Sequence, residues 1–174
     1  MTIHFYTTLA AALTTVLMLK AHAADTTITV YGNVKTSSCT TGGNASYSID
    51  LGQNLTQTDL AIAGSSTPWV TQDVVISGCP TGIHTVTATF AGKADSLNPS
   101  MYANSSGTGF SEHVAVQLQE TLTSTDVGNT SKLAIKTGTT SQVTFPLRAR
   151  LYTSNGGVTA GLVTAAVTMN ISYN

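Results

Sequence analysis

Residues 161–174 constrain this chain more than any other stretch of its sequence. They read Gly-Leu-Val-Thr-Ala-Ala-Val-Thr-Met-Asn-Ile-Ser-Tyr-Asn. Every second residue (Gly161, Val163, Ala165, Val167, Met169, Ile171 and Tyr173) falls on one face, while Thr164, Ala166, Thr168, Asn170 and Ser172 lie between them. Side chains alternate across a strand with period two, so the pattern predicts a half-buried β-strand with one apolar face. The sequence stops with this strand. Its long apolar edge is therefore expected to be covered by an earlier strand of the chain or by a strand of another molecule.

With 174 residues the chain has the length of one domain. Only 9% of residues are charged, while 41% are hydrophobic, enough to fold. Few charges and many β-branched residues point to an all-β domain covered by Thr and Ser hydroxyls. The net charge of −1 and the lack of a Lys/Arg cluster argue against a nucleic-acid partner.

Residues 1–23 have the character of a signal peptide: an apolar run over 9–19, then Ala21-His22-Ala23 at the cleavage positions. The mature chain is expected to start at Ala24, and export leaves two cysteines, Cys39 and Cys79. In an exported chain such a pair reads as one disulfide. A zinc site would need two further ligands, and His84 and His113 offer no ligand-like spacing. A redox pair usually shows Cys-x-x-Cys, which is absent here.

Residues 24–36 form a second alternating stretch, with Thr26, Ile28, Val30, Gly32 and Val34 on one face. Glycine inside a strand often marks the close approach of another backbone. No turn signal separates Val34 from Cys39, so the chain should run straight on. Further strands are expected at 46–51, 69–77, around Val86–Ala88–Phe90, around Val114–Val116–Leu118, and at 143–151. Residues 92–109 and 123–131 read as loop and turn, and Pro146 suggests an edge strand or a bulge. About six principal strands, one fewer than the usual seven, predict an immunoglobulin-like β-sandwich.

The residues offer little to an enzyme. Asp50, Asp59, Asp73, Asp95 and Asp126 stand singly, and neither a nucleophile elbow nor a phosphate-binding loop is present. His84 and His113 read as ordinary core or surface histidines. Arg148 and Arg150 read as charges on a solvated strand face, and Trp69 and the six tyrosines as core packing rather than a sugar platform. No metal or cofactor is implied.

The chain resembles the minor subunits of type 1-like fimbriae, assembled by the chaperone–usher pathway. The residues that carry the resemblance include the start Ala24-Asp25-Thr26-Thr27-Ile28-Thr29-Val30, the cysteine pair, Phe90-Ala91-Gly92-Lys93-Ala94-Asp95 and Asn155-Gly156-Gly157. The ending adds a penultimate Tyr173 and Gly161, fourteenth from the C-terminus. The resemblance implies a sandwich (37–174) that lacks its last strand and is completed by a donor strand from another chain. Gly161, Val163, Val167, Met169, Ile171, Tyr173 and Asn174 would form the groove strand. A periplasmic chaperone would fill the groove first, anchoring the terminal carboxylate, and at the outer-membrane usher the extension (24–36) of the next subunit would replace it. Ile28, Val30, Gly32 and Val34 would be the donor residues. One domain with both donor and acceptor resembles a tip-linking subunit beside a tip adhesin, in a cell-surface fimbrium. The alternatives are a major shaft subunit or, from another class, a self-contained secreted sandwich that binds carbohydrate.

Overall fold

The computed structural model describes residues 31, 39–40 and 46–174. The expected signal peptide and the donor residues Ile28, Val30, Gly32 and Val34 lie outside the described residues. Residues 36–174 belong to one compact unit, which holds every strand found among the described residues.

Those strands are β1 (Val70–Ile76), β2 (Thr85–Gly92), β3 (Tyr102–Ala103), β4 (Ala115–Glu120), β5 (Lys132–Lys136), β6 (Val143–Tyr152) and β7 (Val167–Tyr173). One short 3-10 turn covers Gln57–Leu60. Two sheets form, one in the order β1-β6-β4-β3 and one in the order β5-β2-β7. Every strand pair is antiparallel. The described residues are therefore all-β, two sheets with a core between them. β6 shows why: Val143, Phe145, Leu147, Ala149 and Leu151 are buried, while the residues between them are partly exposed. Val86, Ala88 and Phe90 of β2 and Val74 and Ile76 of β1 fill the same core.

The strand inventory differs from expectation in several places. Residues 46–51 make no ladder. Their tie to β1 runs through a side chain, the Tyr47 hydroxyl lying 3.3 Å from both the backbone oxygen and the nitrogen of Val75. The loop 92–109 contains β3, which continues the first sheet beyond β4. β5 has no counterpart among the expected strands; Lys-Leu-Ala-Ile-Lys is too short and too charged at its ends to stand out as one.

Pro146 sits in a central strand, not at an edge. Its carbonyl accepts from the Thr121 N–H just beyond the end of β4. The missing N–H faces that same side, where β4 has already stopped, so no ladder bond is lost. His84 precedes β2 and is exposed rather than lying in an apolar strand.

Candidate functional site: the groove beside β7

β7 pairs with β2 and with no other strand among the described residues. Its register fixes where each backbone group points. Thr85 and Asn174 exchange both bonds, N–H to carbonyl, at 2.9 and 3.0 Å. In an antiparallel ladder such pairs alternate, so Ser172, Asn170 and Thr168 also bond β2. Farther upstream, Leu162 and Thr164 bond the loop at 105–111 on the same side: Ser111 N–H donates to Leu162 at 2.9 Å and Ser105 N–H to Thr164 at 2.9 Å.

The odd-numbered row is left over. The N–H and carbonyl groups of Val163, Ala165, Val167, Met169, Ile171 and Tyr173 point to the other side. Among the described residues they have no backbone partner. Their side chains face the core, yet from Val163 to Ile171 they are only half-buried. Of the residues expected to form the groove strand, Val163, Val167, Met169, Ile171 and Tyr173 lie in this row, whereas Asn174 turns its backbone toward β2 and does not.

Across from this edge runs the segment 46–55, and between the two lies a groove of about 1010 Å³. Its floor is core: Val74, Ile76, Phe90, Val116, Leu118, Leu147, Ala149 and Leu151. Its walls are Tyr47, Ile49 and Leu51 on one side and the β7 row on the other. Several of the floor residues read as core in the sequence, and Tyr47, Ile49 and Leu51 as a strand. None announces in the sequence that it lines a groove.

A Cys39–Cys79 disulfide holds the first wall in place, with the Cα atoms 4.1 Å apart. It ties the approach to residues 46–55 onto the turn after β1, where Thr40 and Ser77 also exchange backbone bonds of 2.7 Å. Closing a loop of this length contributes about 4 kcal/mol through the entropy of the unfolded chain. The Tyr173 hydroxyl donates to the Cys39 carbonyl at 3.4 Å, joining the two walls at one end. Asn174 finishes the strand, its carbonyl accepting from the N–H groups of His84 and Thr85.

Gly161 is required by packing rather than by the groove. A Cβ there would stand 2.5 Å from the Ser111 nitrogen and 2.6 Å from the Phe110 carbonyl carbon. Only glycine lets the wall approach this loop so closely.

The other candidates do not assemble a second site. Arg148 and Arg150 point outward as expected, but Trp69 is not in the core. It lies on the outer face with their guanidinium carbons 4.4 and 4.2 Å from its ring centroid. Cation–π contact therefore engages the indole. Asp50, Asp59, Asp95 and Asp126 accept hydrogen bonds from residues near them in the fold, such as Gly52, Thr56, Leu97 and Gln119. His84 and His113 are both exposed and apart from the groove.

The described residues thus form a two-sheet sandwich with an unpaired strand edge that opens on its own core. The fimbrial protein family model matches residues 28–174, and the chain belongs to that family. It is 34% identical over 165 residues to the S-fimbrial adhesin protein SfaS of Escherichia coli O6:K15:H31, covering 95% of each chain. It is 33% identical over 173 residues to the protein FimG of Escherichia coli K12, covering 94% of each. The fold matches a chain from a chaperone–usher pilus with a TM-score of 0.65 at 22% identity, covering 89% of this chain and 99% of that one. The chain is a fimbrial subunit, a structural rather than an enzymatic protein. Such subunits are exported through the periplasm and assemble with other fimbrial subunits at the cell surface.

Proposed function

We propose that this subunit links the tip of its fimbria, receiving a strand from one neighbour and giving a strand to another. Residues 1–23 are removed on export, residues 24–36 are the donor extension and residues 37–174 are the acceptor domain. A periplasmic chaperone occupies the groove first. At the outer-membrane usher a donor strand replaces it, and the chain of subunits leads to a tip adhesin.

The observation that carries this reading is the odd-numbered row of β7. Among the described residues, its backbone groups lack partners on the same line where its apolar side chains lack cover, so one incoming strand would satisfy both. Backbone pairing supplies affinity, and alternate side chains set register. In the donor, Ile28, Val30 and Val34 enter the groove and Gly32 lies against the acceptor backbone.

Strand exchange tests the reading. Deleting residues 24–35 should leave a domain that folds on the chaperone and still receives a strand, but cannot donate one to a chaperone-held neighbour. Gly32→Leu should block donation almost as fully. Loss of the domain's own fold on deletion would make 24–35 an internal strand and end the linking reading.

A further inference from the structure

β2 ends at Gly92, opposite Val167. Upstream of that point no strand among the described residues supports the wall of the groove, yet Val163 and Ala165 keep the alternation of burial seen in β7. Asn104, only 9% exposed, occupies the place of the missing neighbour. Its Nδ2 donates to the carbonyls of Ser111 at 2.7 Å and Leu162 at 3.1 Å. Its Oδ1 accepts from the Thr164 N–H at 2.7 Å. One side-chain amide thus presents a donor and an acceptor to alternate residues of the wall, as a peptide group of a neighbouring strand would. Its second donor pins the loop that carries it.

We infer that Asn104 is a positioning residue for strand acceptance, fixing the upstream half of the acceptor edge so that Val163 and Ala165 present their backbone groups in line with Val167, Met169 and Ile171. The inference rests on the groove being a strand acceptor. Backbone bonds from Ser105 and Ser111 also reach this wall. Removal of Asn104 should therefore loosen the upstream half of the groove without unfolding the domain. Without Asn104 the Thr164 N–H and the Ser111 carbonyl lose these bonds and the Leu162 carbonyl keeps only the one from the Ser111 N–H, which costs the wall its line.

The test is residue-resolved amide exchange on the full exported, oxidised chain, with a peptide of residues 24–36 in excess as the strand probe. In the unaltered chain the peptide should slow exchange at all five residues of the row from Val163 to Ile171. In Asn104→Ala the protection at Val163 and Ala165 should fall about tenfold or more, the equivalent of one lost buried hydrogen bond. Protection at Val167, Met169 and Ile171 should stay within about twofold of the unaltered chain. Asn104→Asp, nearly isosteric and still an acceptor for Thr164, serves if the alanine variant does not fold, and should show the same split. Equal protection of all five in the variants, or equal loss across all five, would overturn the assignment to Asn104. No protection anywhere in the unaltered chain would instead overturn the strand-acceptor reading beneath it.

Discussion

The three-stranded sheet has two outer edges, and they are built on opposite rules. β5 pairs with β2 through Leu133 and Ile135, in step with the bond that Phe90 accepts from Thr130 and the one it donates to Ser131. The backbone groups it turns outward therefore belong to Lys132, Ala134 and Lys136, whose side chains are exposed. A strand docking there would meet lysines and no apolar pocket, which is a common guard on an edge. On β7 the outward backbone groups belong to the residues that face the core, and no charged residue occurs anywhere in 151–174. On the proposed function, the same sheet closes one edge to other chains and leaves the other receptive. Openness is thus a matter of which half of the alternation the unpaired groups belong to, not of exposure alone.

Charge placed on each edge should break this contrast most strongly. Ile171→Asp puts a carboxylate into an apolar groove, where an unpaired buried charge costs about 3–5 kcal/mol. Affinity for an incoming strand or for the chaperone should fall by roughly a hundredfold or more, read by titration of the chaperone complex. Ala134→Asp on β5 should leave the same titration unchanged, since that side chain is already in solvent. Normal chaperone capture by Ile171→Asp would contradict the groove assignment.

Removing the guard is a smaller change. Lys132→Thr with Lys136→Thr should make β5 a second receptive edge and raise concentration-dependent association, followed by sedimentation. Each cross-strand pair contributes only about 0.2–1 kcal/mol, so the effect should be weak and should not displace a strand from β7. Association as strong as through β7 would mean that the lysines alone, not the facing of the row, decide receptivity.

The alternation of β7 and β6 is plain in the sequence, because a period-two pattern needs no knowledge of neighbours. The cysteine pairing is legible for a similar reason, as only two cysteines exist. How far each ladder extends cannot be read in the same way. Residues 161–166 keep the pattern of a strand but have a loop instead of β2 beside them, and 46–51 do the same beside β1. Trp69 reads as core because indoles usually are. Its place opposite Arg150 follows from the β1–β6 register, which hydrophobicity does not encode. Asn104 gives no signal at all: a single asparagine in a Ser- and Gly-rich loop reads as a turn residue.

The smallest expected effect lies on the path toward β5. Glu120, 3% exposed, ends β4. Burial opposes its charge, but the hydroxyl and N–H of Thr123, the N–H of Leu122 and the nearby Arg148 outweigh that and hold its pKa below the usual glutamate value. A lowered folded pKa gives stability above the ordinary glutamate range that is lost as pH falls through the folded value. Thermal unfolding should therefore show a modest loss between neutral pH and the acid side of that range, diminished in Glu120→Gln. β7 carries no acidic side chain, so this dependence should come from the domain and not from its receptive edge. An unchanged pH profile in Glu120→Gln would contradict this role for Glu120.

The central claim, that the β7 edge is built to take a strand, meets its most direct test in the equilibrium unfolding of a chain with residues 24–36 repeated after Asn174 through a flexible linker. The added strand can then fold back along the open edge of its own domain. Burying Ile28, Val30 and Val34 should raise the unfolding free energy by about 5–8 kcal/mol, before backbone pairing is counted. The same addition carrying Gly32→Leu should gain far less. An unfolding midpoint unchanged by the added strand would contradict the claim.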